Sequence, residues 1–145
     1  TPVPADVKEL VVESNVGNTQ RVLDFVEQEA RLLPFSNKAL SNLLTAVEEM
    51  FVNIASYAYD KGIEESTITL ELERIQNNTA LRVRFLDFGM PYNPLLAPPP
   101  NTTLSAEERP VGGLGIFITK KLVEGLNYKR VNGQNVLTLT KRVDV

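Results

Sequence analysis

Pro110-Val111-Gly112-Gly113-Leu114-Gly115-Ile116-Phe117-Ile118-Thr119 is the stretch that decides how this chain is read. Three glycines fall within four positions, and an apolar helical pattern follows at once. Glycine lets a backbone turn freely and come close to a ligand. The first turn of the helix behind it offers unpaired N–H groups and a partial positive charge, which suits a phosphate. By itself, Gly-Gly before a helix reads equally well as a hinge. Glu49, Asn53, Asp87 and Gly89, all upstream, make the phosphate reading specific.

On either side of this stretch the chain changes character. The apolar pattern predicts a helix over 114–126, then a hairpin of 128–131 and 136–140 around the turn Asn132-Gly133-Gln134. Residues 90–113 show no periodicity and include Pro91, Pro94, Pro98, Pro99, Pro100 and Pro110. A loop of that length inside a compact domain is uncommon and reads as a lid. Upstream, 7–14 alternates loosely as a first strand. Asn15 and Asn18 are candidate caps for a helix running to Leu33, which Pro34 ends. Ser36 caps the next helix, over 37–59. Leu40, Leu43, Leu44, Val47, Phe51, Ile54 and Ala58 form its apolar stripe, and Lys61-Gly62 ends it. Alternation then gives strands over 66–74 and 81–87, joined by Gln76-Asn77-Asn78. The order β-α-α-β-β-lid-α-β-β predicts helices packed on one face of a mixed or antiparallel sheet. No internal repeat and no second domain is evident, so 1–145 reads as one domain.

Composition narrows the function. At 145 residues, 43% hydrophobic and 23% charged, the chain has the make-up of a globular domain with a real core. Net charge is −3 and no basic tract exists, which argues against nucleic acid as a partner. Cysteine is absent, so disulfides and thiolate metal sites are excluded. Histidine is absent as well, which removes Ser-His-Asp catalysis, His-ligated zinc and any phosphoacceptor histidine. No apolar run reaches the roughly 18 residues of a membrane span. No signal-peptide pattern opens the sequence, and a cytoplasmic location is expected.

The chemistry-bearing residues come in a fixed order. Glu49 and Asn53 lie one turn apart on the long helix, roughly opposite its apolar stripe. Taken alone, such a pair is most simply a solvated face. The amide oxygen of an asparagine can, however, ligate Mg²⁺, which prefers oxygen donors and keeps few protein contacts when phosphates supply the rest. Asp87 closes a strand and precedes Phe88-Gly89-Met90-Pro91, a pattern that alone is a turn. In a pocket its carboxylate would accept from an amino group, and Gly89 would let a planar ring approach.

This ordered set resembles the GHKL ATP-binding fold, also called the Bergerat fold, shared by gyrase B subunits and histidine kinase catalytic domains. Within it the likeness is to the anti-sigma factor serine/threonine protein kinases. Ala46-Val47-Glu48-Glu49-Met50-Phe51-Val52-Asn53 is similar to their N box. Asp87-Phe88-Gly89-Met90-Pro91-Tyr92-Asn93-Pro94 is similar to their first glycine box, and Gly112-Gly113-Leu114-Gly115-Ile116-Phe117 to their second. The likeness covers nearly the whole chain. It implies an α+β two-layer sandwich, a mixed, mostly antiparallel sheet with helices on one face, and an ATP lid over about 90–113.

The resemblance also implies roles. Asn53 would coordinate Mg²⁺ bridging the ATP phosphates, and Glu49 would take the proton from the attacking hydroxyl. Asp87 would hydrogen-bond the exocyclic amine of adenine, with Gly89 clearing space for the ring. Gly112, Gly113 and Gly115 would cradle phosphates, Arg109 would meet the γ-phosphate, and Thr138 would stand near adenine. The chain departs from the pattern at Pro91, where many relatives carry a second glycine; proline stiffens that turn and removes a donor. The implied function is an ATP-dependent serine/threonine kinase that phosphorylates a STAS-type anti-anti-sigma partner and sequesters a sigma factor or another regulator, commonly as a homodimer. A second reading is a nucleotide-binding sequestering module without phosphotransfer. A third, a detached histidine kinase catalytic domain, needs a histidine on another chain.

Overall fold

A computed structural model describes residues 7–60, 66–96 and 113–144. Eight regular elements follow in chain order: β1 (Val7–Glu13), α1 (Thr19–Ala30), α2 (Asn37–Asp60), β2 (Thr67–Ile75), β3 (Ala80–Asp87), α3 (Gly113–Leu122), β4 (Gly125–Val131) and β5 (Gln134–Arg142). The sheet order is β1-β2-β3-β5-β4, and every neighbouring pair is antiparallel. The reason is in the connections. Two helices separate β1 from β2, so the chain reverses three times and returns antiparallel. One helix separates β3 from β4, which therefore run the same way, but β5 inserts between them. A mixed sheet was one expectation; the fold reaches a fully antiparallel ladder by filling its one parallel gap.

Alternation sets the faces of the sheet. Ile68, Leu70 and Leu72 of β2, Leu81, Val83 and Phe85 of β3, and Leu137 and Leu139 of β5 are all buried under the helices. The opposite face carries Glu73, whose carboxylate accepts from Arg82 at 2.9 Å and pairs with Arg84 at 3.5 Å. Burial on one side alone explains the clean period of two in β2 and β3. Helix α2 is different. Ala46, Val47, Met50, Phe51, Ile54 and Ala55 are buried over about half of its circumference, because α1, α3 and the sheet pack on it.

Local signals behave as their chemistry dictates. Ser36 Oγ accepts from the Ala39 N–H at 3.0 Å and caps α2. Asn15 Oδ1 accepts from Gly17 N–H at 2.6 Å and caps a short 3-10 turn, while Asn18 donates its amide to the Glu13 carbonyl and caps nothing. Gln76, Asn77 and Asn78 are all left-handed between β2 and β3. Asn132 and Gly133 take φ of 51° and 79°, the two positive angles that a two-residue hairpin turn requires. Helix α3 stops at Leu122, earlier than its apolar pattern suggests. Gly125 and Leu126 instead pair with Thr140 and Leu139, and the ladder to β5 overrides helical propensity.

One charge pair, a buried lysine with an exposed glutamate, carries a stability prediction. Lys141 is 1% exposed, and its ammonium donates to Glu124 Oε2 at 3.1 Å. The other carboxylate oxygen accepts the Arg142 N–H at 2.7 Å. Glu124→Ala leaves the buried ammonium without its carboxylate and should cost about 1–3 kcal/mol, less than for a pair buried on both sides. Lys141→Met removes the cation as well and should cost less than about 1 kcal/mol. Urea unfolding of both variants separates the two outcomes.

Candidate functional site

Helix α2 lays out three candidate side chains in a row. Glu49, Asn53 and Tyr57 are spaced i, i+4, i+8, so they share one side of the helix over about 12 Å. All three are half-buried. This side faces away from the sheet, as the helical arithmetic requires, but α3 packs on α2 and covers part of it. Glu49 lies against the first turn of α3: a Cβ placed on Gly115 would overlap Glu49 Oε2 and come within 3.0 Å of its Cδ. Burial, and then the neighbouring Glu48 carboxylate, push the Glu49 pKa above its ordinary 4.5. One turn on, Asn53 Nδ2 donates to the Glu49 carbonyl at 2.6 Å. A carbonyl only accepts, so the amide is oriented, and Oδ1 takes no hydrogen bond from a described residue.

The other end of the row reaches a cleft at the end of β3. Asp87 Oδ1 accepts from the Gly89 N–H at 2.9 Å, the local turn expected of Asp-x-Gly. It also accepts from Asn135 Nδ2 at 2.9 Å. Asn135 faces Asp87 across the β3–β5 register and is 5% exposed. Its Nδ2 also donates to the Met90 carbonyl at 2.8 Å, and its Oδ1 accepts from Tyr92 N–H at 3.2 Å and Tyr128 O–H at 2.5 Å. The loop after β3 is held a second time by Arg130, which donates to the Gly89 carbonyl at 2.7 Å.

Tyr57 and Tyr92 form a wall of this cleft, their rings stacked 3.9 Å apart and tilted by 6°. Asp87, Gly89 and Asn135 line it beside them. The cavity that remains has a volume of about 10 Å³, which is about the room one water needs. With Tyr92 lying on Tyr57, the cleft has no room for a larger ring.

Two groups of sequence-predicted residues thus come together. Asp87 and Gly89 share the cleft, and Glu49, Asn53 and Gly115 meet along α2 and α3. Asn53 does not border the cleft; Tyr57, one turn further on, joins the two groups. Gly113 opens α3. Thr138 does not join either group. It alternates with the buried Leu137 and Leu139 and so lies on the sheet face opposite the helices, between Arg84 and Asn127. Arg109, Gly112 and lid residues 97–112 lie outside the described residues. Sequence reasoning missed Asn135, Tyr57 and Tyr92. The available signal for Asn135 was an amide in a strand, a type that strands disfavour. For Tyr57 it was an aromatic ring one turn beyond Asn53.

No group of three or more acidic, cysteine or histidine side chains among the described residues could hold a metal unaided. No described helix is long and apolar enough to cross a membrane. Residues 12–141 match the family of histidine kinase-like ATPase domains. The chain is similar to the serine/threonine-protein kinase BtrW of Bordetella bronchiseptica, 31% identical over 98 residues that make up 68% of this chain and 67% of that protein. It is also similar to the crystal structure of the RsbU and RsbW domains of Rv1364c from Mycobacterium tuberculosis, with a TM-score of 0.65. That match is 13% identical and covers 99% of this chain but 33% of the other, so it bears on the fold alone. The family match runs from β1 into β5, through both groups of site residues and over an antiparallel α+β fold with a known structural counterpart: the chain belongs to the histidine kinase-like ATPase domain family.

Proposed function

We propose that this chain binds ATP with Mg²⁺ and transfers the terminal phosphoryl group to a serine or threonine of a STAS-domain partner. The observation that carries the reading is the row Glu49–Asn53–Tyr57, which ends at the Asp87 cleft. Its span of about 12 Å is comparable to the reach of an extended nucleoside triphosphate from base to last phosphate. The base belongs at the Asp87 end. There a carboxylate oxygen can accept from the 6-amino group and Tyr57 offers an aromatic face. The terminal phosphate belongs at the other end, beside the glycine-led first turn of α3. Glu49 stands there as the group that takes the hydroxyl proton while the freed oxygen attacks phosphorus and ADP leaves.

Asn53 fits the cation that the family uses. Its Nδ2 is held by a carbonyl and its Oδ1 remains as a hard oxygen donor. Bound there with phosphate oxygens, Mg²⁺ would neutralise charge on the phosphates. The serine/threonine kinase activity in the name of the Bordetella relative supports a hydroxyl acceptor. The STAS identity of the partner rests on the likeness to anti-sigma kinases.

Thermal unfolding with ADP or ATP, with and without Mg²⁺, tests the reading. A ligand at about a hundred times its Kd adds about 2.7 kcal/mol, a shift of several degrees. Asp87→Ala should lose that shift, and Asn53→Ala should keep a smaller one that Mg²⁺ no longer changes. Absence of any shift in the parent chain sinks the proposal.

A further inference from the structure

We propose that Asn135 is a positioning residue that makes the site select adenine over guanine, by occupying the one carboxylate oxygen of Asp87 that a guanine would need. The inference rests on the ATP reading above. Each carboxylate oxygen offers about two acceptor positions. At Asp87 Oδ1 both are taken, by the Gly89 N–H and by Asn135 Nδ2, each at 2.9 Å. Oδ2 takes no hydrogen bond from a described residue. Asp87 thus presents one free acceptor atom to the cleft it lines.

The orientation of the Asn135 amide follows from its partners. Nδ2 faces a carboxylate and the Met90 carbonyl, which only accept. Oδ1 faces the Tyr92 N–H, which only donates. Rotating the amide by half a turn would mismatch all three, so the donor toward Asp87 is fixed. Burial keeps water from replacing it.

The selectivity follows from base chemistry. Adenine presents a single donor edge, its 6-amino group, and one oxygen suffices to accept it. Guanine presents two adjacent donors, N1–H and the 2-amino group, which a carboxylate grips with both oxygens. With Oδ1 filled, the second grip is unavailable, and guanine gains nothing from its 2-amino group. Asn135→Ala frees an acceptor position on Oδ1, whose turn bond to Gly89 remains.

Isothermal titration with ADP and GDP reads the effect as a ratio of affinities. The parent chain should favour ADP, and Asn135→Ala should reduce that preference about tenfold, the worth of one charge-assisted hydrogen bond. A purely structural role for Asn135 would weaken or strengthen both nucleotides together, and an unchanged ratio overturns the proposal. If Asn135→Ala does not fold, the parent chain still decides the matter with GDP and IDP, which differ only in the 2-amino group. GDP binding no tighter than IDP supports the assignment, and GDP tighter by about fivefold or more overturns it. A parent chain that binds neither ADP nor ATP overturns the ATP reading itself, and this proposal with it.

Discussion

Glu49→Gln should transfer phosphate more slowly by a factor of about 10²–10⁴, the usual contribution of a positioned general base, while binding ADP as tightly as the parent chain. The amide keeps the size of the side chain but cannot take a proton. Its fit against Gly115 is preserved, so the loss belongs to chemistry and not to folding. Stability should move the other way. A carboxyl whose folded pKa lies above its unfolded value contributes stability that is complete below the unfolded value and is lost as pH rises through the raised one. Glu49 is in that class, lifted from 4.5 by burial and by Glu48. At neutral pH its charge is therefore a cost, and removing it should raise the Tm. Transfer by the parent chain should climb with pH above the ordinary carboxylate range, and Glu48→Gln should move that rise to lower pH. Gly115→Ala should mimic the loss of transfer with the fold intact, since the new methyl displaces only the flexible end of Glu49. Radiolabelled ATP and a STAS-domain acceptor provide the assay. Full transfer by Glu49→Gln removes Glu49 from the mechanism. Tight ADP binding with no transfer even by the parent chain leaves the sequestering module as the function.

Tyr92→Ala should bind ADP about five- to thirtyfold more tightly. The cavity beside Asp87 has room for about one water and cannot admit a purine. Tyr92 lines it and lies parallel to Tyr57 at 3.9 Å, covering a face of that ring. A base that stacks on Tyr57 must first displace that ring, and the work of breaking the stack is subtracted from binding. Aromatic stacking and the apolar area that returns to water together come to about 1–2 kcal/mol. Alanine removes this competitor, and affinity rises by the corresponding factor. Tyr92→Phe keeps the ring and should bind as the parent does. Calorimetric titration of the three chains is sufficient. Weaker binding by the alanine variant would mean that Tyr92 stacks on the base instead of standing in for it.

Much of this molecule can be read from its residues. The apolar stripe of α2, the alternation of β2 and β3 and the Asn-Gly turn before β5 each report a local physical constraint, and the fold honours all three. The end of α3 was not legible, because pairing with β5 decides it. The site divides similarly. Glu49, Asn53 and Asp87 are marked by residue type and spacing. What surrounds them comes from distant segments: α3 brings Gly115 onto Glu49, and β5 brings Asn135 onto Asp87. Likeness favoured Thr138, but strand alternation sends odd-numbered residues of β5 toward the helices, so Asn135 meets Asp87 and Thr138 turns away. Tyr92 was quoted within a glycine box yet carried no role, since a ring stack across 35 positions leaves no local trace.

The closeness of Glu49 to Gly115 also constrains how such a chain can diverge. The two positions share one small volume, so a side chain gained at 115 moves the carboxylate of Glu49 even where the fold survives. Keeping the carboxylate in place beside a larger residue would take a shorter acid opposite, and that shorter acid would reach less far. Among descendants of this sequence the pair should be inherited as a couple, with drift at 49 and 115 correlated even though 66 positions separate them in the chain.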